Sequence, residues 1–285
     1  MLSNEKKNEI ISKINQKKIS PKYQKIIIKY IELNIELFGF LDVEELINRI
    51  VENFGGVSPN ITSFLYNDYG QYTPTTGKVL LSPKLYWGKN RKYKESVFLH
   101  ELDHCACSPI TVKQQYNKYK SEIKKKHKYF YKLIPDFISS EIFLKIHYEG
   151  PISGIANLKR ERGYILQKIS YGTKLENYLN EGITSLKQKI YSDKLNLPFH
   201  KKKDFFYGVR MGAECIGKVI GFDNLIYLHF NNNLKNIEED FFEKTNIKLE
   251  ELILKCIEYD KKNTKKRLKK LKLFIEQIYK KVNCA

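Results

Sequence analysis

The residues with the clearest chemical meaning lie in VFLHELDHCAC, where His100, Glu101 and His104 form an HExxH pattern, HELDH. On a helix, positions four apart share a face, so both imidazoles can reach one ion. Glu101 lies about 100° further round and can address a water on that ion. This is the arrangement metal-assisted hydrolysis needs, with an acid–base carboxylate beside a Lewis acid and not bound to it. The same letters can also form a polar patch on an exposed helix. Val97, Phe98, Leu99, Leu102 and Ala106 interleave with them, however, and predict a buried helix.

Two histidines leave a catalytic zinc ion one protein ligand short. HELDHCACSPI lacks the HxxGxxH continuation that would supply a third histidine, so a glutamate is expected, and YLNEGITS (178–185) is where one is placed. HELDH (100–104) followed by an Asn-Glu helix start in NEGITS (180–185) resembles the gluzincin zinc metallopeptidases, the thermolysin-like clan. The resemblance covers these two motifs and their order. It implies a zincin-like fold, one Zn²⁺ per chain held by His100, His104 and Glu181, and Glu101 as general base.

Two features depart from that pattern. The 77 residues from His104 to Glu181 are a longer gap than in thermolysin, although long insertions cost little closure entropy. Ser185 stands where the family commonly carries an acidic residue that orients a zinc-binding histidine, and a serine supplies no charge. The competing reading of NEGITS is an ordinary helix start, with Asn180 as N-cap and Glu181 in the first turn.

Related enzymes keep an oxyanion-stabilising donor downstream of the glutamate. Tyr191, His200, Tyr207 and Arg210 are the candidates here, with a slight preference for Tyr207 in FFYGVRMGAECIGKVIGF. His127 and His147 have no ligand-like spacing. Cys105, next to His104, is expected to be a small buried hydrophobe.

These residues have to be positioned by a chain whose hydrophobic period changes along its length. Pro21 to Phe54 reads as a helix pair broken near Gly39, with Asp42 as N-cap of the second helix. ITSFLY and GKVLLSPKLYW read as two strands separated by the turn-forming NDYGQYTPTTG. The metal-site helix is expected from near Lys94 to before Pro109. ISGIANLK and GYILQKIS are expected to form a further hairpin, and the chain from Leu175 onward reads as mostly helical. Near the end, Leu268, Leu271, Ile275 and Ile278 give one helix an apolar stripe beneath a lysine-rich face. The fold class is therefore α+β and helix-dominated, with a small β-sheet and an active-site helix. Three regions are expected: 1–56 helical, 57–170 sheet plus active-site helix, and 171–285 helical and carrying the third ligand.

With 285 residues, 42% hydrophobic and 13% aromatic, the composition excludes a disulfide-stapled miniprotein and a disordered chain. No apolar run approaches the ~20 residues that span a bilayer. The N-terminus carries Glu5 and Glu9 where a secretory signal would be apolar, which predicts a cytoplasmic protein. The five cysteines form no CxxC pair and are expected to be reduced. The net charge of +19 rests on 45 lysines against six arginines. Arginine is the better residue for bidentate phosphate recognition, so a solvated basic surface with non-specific nucleic-acid binding is the expectation. The function expected is a zinc-dependent metallopeptidase acting on a peptide or protein substrate. The alternatives are a catalytically inactive zincin-like scaffold and a basic nucleic-acid-binding regulator.

Overall fold

The computed structural model describes residues 2–15, 19–39, 41–59, 69–108, 110–126, 171–199, 206–231, 233–262 and 264–283. The N-terminal helices are α1 (Asn4–Asn15), α2 (Pro21–Leu37) and α3 (Val43–Asn53). Pro21 opens α2, where a missing N–H costs nothing. Asp42 caps α3 by accepting the Glu45 N–H at 3.0 Å, as expected from the sequence.

The sheet has three short strands, β1 (Gly56–Pro59), β2 (Gly70–Thr73) and β3 (Lys78–Leu81), in the order β1-β3-β2. β1 runs parallel to β3 and β2 antiparallel to it, with Tyr72 opposite Val79. The sequence expectation needs correcting here. β2 lies within the stretch read as a turn, and the turn itself is only the four residues before β3. Gly77 closes that turn at φ +71°, and a Cβ there would lie 1.8 Å from the Asn53 carbonyl oxygen, so the position requires glycine. The strand read through SPKLYW stops at Leu81. Pro83 cannot donate to a ladder, and Ser82 instead accepts the Lys84 N–H as a 3₁₀ turn begins. ITSFLY and the expected hairpin of ISGIANLK and GYILQKIS lie outside the described residues.

The remaining helices are α4 (Lys94–Cys107), α5 (Ile110–Lys126), α6 (Tyr171–Lys194), α7 (Tyr207–Ile220), α8 (Phe222–Phe230), α9 (Leu234–Thr245), α10 (Leu249–Lys262) and α11 (Lys265–Asn283). Buried side chains from Ile10 on α1 to Ile278 on α11 form one continuous core. α11 inserts Leu271, Ile275 and Ile278 and leaves its lysines in water; each such burial contributes about 1.5–3 kcal/mol. The protein is thus helix-dominated α+β.

α4 and α6 do not follow the amphipathic pattern of α11. Every residue of α4 from Ser96 to Cys107 is buried, polar ones included, and α6 is buried continuously from Leu179 to Lys187. Buried ionisable groups are costly unless paired, so these two helices must satisfy each other. Their neighbours hold them closely. Asn53 of α3 donates to the carbonyls of Cys105 at 3.0 Å and Ser108 at 2.6 Å, tying the end of α4 to α3. At Gly182 a Cβ would lie 2.6 Å from the Val209 carbonyl oxygen, so glycine allows α6 and α7 their close approach beside Glu181. Asp260 of α10 accepts the N–H groups of Gly208 (2.6 Å) and Val209 (3.0 Å), capping the start of α7.

Candidate metal centre

The fold brings Glu181 of α6 to the two histidines of α4. His100 Nε2 lies 3.1 Å from His104 Nε2 and 3.3 Å from Glu181 Oε2, and His104 Nε2 lies 3.4 Å from Glu181 Oε1. The imidazole rings meet nearly edge to face, at 78°. Ligand atoms held 2.0–2.2 Å from a tetrahedral zinc ion are about 3.3–3.6 Å from one another, and the separations here, taken to the two Glu181 oxygens, come close to that. The donor set suits it too, with two imidazoles and one carboxylate. All three residues are buried. Burial by itself would raise the Glu181 carboxyl, but His104 and His100 outweigh it and hold the group well below the usual carboxylate range.

Glu101 is buried at 4% exposure on the same helix and packs against the sheet edge. A Cβ on Gly70 would lie 2.7 Å from Glu101 Oε1 and 2.7 Å from Val97 Cγ1. β2 is an outer strand, and its first residue therefore has to be this small for the Glu101 carboxylate to lie against the backbone.

The Asn-Glu helix start does not occur. α6 begins at Tyr171, so Asn180 and Glu181 sit in its interior, and neither N-capping nor a first-turn placement accounts for Glu181. Ser185 provides no charge at the centre. Its hydroxyl oxygen accepts from Arg210 Nη1 at 3.4 Å, and the buried Nδ1 of His100 has no hydrogen-bond partner among the described residues.

Of the oxyanion candidates, Tyr191 is committed elsewhere: its hydroxyl donates to Asn34 Oδ1 at 2.9 Å and lies 3.4 Å from Asp103 Oδ1, in the interior behind α4. Tyr207 is half-buried against Tyr259, with the Arg210 guanidinium over its ring. Arg210 is buried and reaches α6, the helix of Glu181, through Ser185. His200, His127 and His147 lie outside the described residues.

A second buried cluster was not anticipated. Asp103 and Cys107, also four apart on α4, meet His229 of α8, with one potential ligand atom from each within 4.8 Å of the others. Cys107 Sγ lies 3.5 Å from His229 Nδ1. Asp103 Oδ1 accepts from Tyr30 at 2.7 Å and forms an ion pair with the fully buried ammonium of Lys187. The i, i+4 spacing of Asp103 and Cys107 was visible in the sequence, but nothing in it pointed to His229 or Lys187.

The chain matches no protein-family model, no curated protein and no solved structure. Among the described residues no helix is long and apolar enough to cross a membrane.

Proposed function

We propose that the protein is a zinc-dependent metallopeptidase of gluzincin type, with a zincin-like fold, that hydrolyses peptide bonds in the cytoplasm. The observation that carries this reading is the convergence of Glu181 on His100 and His104 across 81 residues of chain, with each imidazole Nε2 3.3–3.4 Å from one of its carboxylate oxygens and 3.1 Å from the other Nε2. His100, His104 and Glu181 hold one zinc ion per chain. When bound, zinc lowers the pKa of water to about 7 and polarises a carbonyl oxygen. Glu101, next to the ligand set and outside it, accepts the proton of the attacking water on its carboxylate and returns it to the departing amine nitrogen. Gly70 lets that carboxylate lie against β2, so the base is held at the sheet edge. The four described cysteines, Cys105, Cys107, Cys215 and Cys256, are buried thiols, which suits a reducing compartment.

One observation favours a second reading, a zincin-like scaffold without turnover. His100 Nδ1 has no hydrogen-bond partner among the described residues, and the orienting carboxylate common in the clan is replaced by Ser185. The test is hydrolysis of an unstructured protein such as casein by the zinc-loaded chain, before and after chelation. Cleavage that disappears with chelator and returns with Zn²⁺ supports the peptidase. One tightly held zinc per chain with no cleavage of casein or of a mixed peptide library supports the scaffold.

A further inference from the structure

We propose that Lys187 is a positioning residue of the metal centre: through Asp103 it locks the turn of α4 that carries His104 against the helix that carries Glu181. The inference rests on the metal reading of His100, His104 and Glu181.

Lys187 is 1% exposed, and a lysine is almost never buried so completely unless its ammonium is matched. Its match is Asp103, the residue immediately before His104, and Lys187 itself lies six residues after Glu181 on α6. The pair therefore joins the two segments that have to meet for the ligands to converge. Asp103 Oδ1 accepts from Lys187 and from the Tyr30 hydroxyl (2.7 Å), with the Tyr191 hydroxyl oxygen 3.4 Å away. Tyr191 continues to Asn34 Oδ1 at 2.9 Å, so α2, α4 and α6 share one hydrogen-bonded network. Phe38 and Tyr191 present their rings to the Lys187 ammonium at 5.5 and 5.9 Å, which favours the cation over water. None of these groups is in the ligand triangle, so their effect on a metal must be exerted through the placement of His104 and Glu181.

The test is Zn²⁺ affinity, with the visible absorption of the Co²⁺-substituted protein, in the wild type, Lys187→Met and the double variant Asp103→Asn with Lys187→Met. The double variant leaves no unpaired charge and serves if the single variant does not fold. Ile278→Ala on α11 is a control for lost stability. The expected result is a 10–100-fold loss of Zn²⁺ affinity in the folded Lys187 variants, the range typical of groups that orient ligands, together with shifted Co²⁺ bands at saturation. Ile278→Ala is expected to keep the wild-type bands. Wild-type affinity and bands in a folded Lys187 variant, or the same band shift in Ile278→Ala, would overturn the assignment. A wild-type protein that binds neither ion would instead overturn the metal reading itself.

Discussion

α4 carries two buried clusters of the same design, each an i, i+4 pair completed by one residue from another helix: His100, His104 and Glu181 in one, Asp103, Cys107 and His229 in the other. They differ in what balances their charge. In the first, a carboxylate meets two imidazoles. In the second, Asp103 is already matched by the Lys187 ammonium. Burial, with Asp103 adding to it, pushes the Cys107 thiol up to about 12, and burial brings His229 down to about 3. At neutral pH the second cluster therefore holds a carboxylate, an ammonium, a thiol and a neutral imidazole, with no net charge. A divalent ion there would need a thiolate and would stand beside a cation. Donor spacing alone thus does not make a metal site; the partner cation decides.

The widest expected gap between the two clusters is in turnover. Glu101→Gln should keep its metal and lose 10²–10⁴-fold in peptide hydrolysis, the usual effect of removing a positioned general base, while Cys107→Ala should stay close to wild type. Equal rates for Glu101→Gln and wild type would remove the base from the mechanism. Next in size is Gly70→Ala. The added Cβ displaces the Glu101 carboxylate, and a shift of this order should cost about 10–100-fold in rate with metal content unchanged. An unaffected rate would mean that Glu101 acts from another position.

How much of this was legible in the sequence depends on the range of the interactions. The helix of His100 and His104 was, because Lys94 to Cys107 has a local apolar pattern that stops before Pro109, and so was the Asp42 cap. The small sheet was legible in part, since β3 lies inside GKVLLSPKLYW, but β2 was not. β2 contains Gly70 and Gln71, which read as turn, and its strand character comes from pairing with β3. Glu181 was legible as a residue, whereas its place in the interior of α6 depends on a helix that begins ten residues earlier. Lys187 has no distinguishing sequence signal, since only tertiary contact shows that it is buried on Asp103.

Stability should also separate the clusters. His229 is held near 3 by burial, with Lys187 and His104 adding to the effect against the opposing pull of Asp103, compared with 6.5 ordinarily. Between those values the unfolded chain binds a proton that the folded chain does not, so stability falls as pH drops through the window. The slope approaches about 1.4 kcal/mol per pH unit for this one group. Urea unfolding from pH 6.5 to 4 should show a correspondingly shallower fall in His229→Gln than in the wild type, and parallel curves would show that His229 is protonated in the fold.

The smallest effect is expected furthest from either cluster. Lys265, Lys266, Lys269 and Lys270 lie exposed on α11, and replacing all four with Gln should weaken a salt-sensitive, sequence-indifferent DNA binding in the roughly 10⁻⁴–10⁻⁶ M range. Zinc content and cleavage should be unchanged. Sequence-selective binding tighter than about 10⁻⁸ M by the wild type would favour a nucleic-acid regulator.

The central claim is that α4 binds one metal ion, through its first cluster only. Zinc analysis of the purified wild type beside Glu181→Ala and Cys107→Ala tests it most directly. The account predicts one zinc per chain in the wild type and in Cys107→Ala, and a clear loss in Glu181→Ala. Full zinc occupancy and affinity in Glu181→Ala, or two zinc ions in the wild type with one lost in Cys107→Ala, would contradict it.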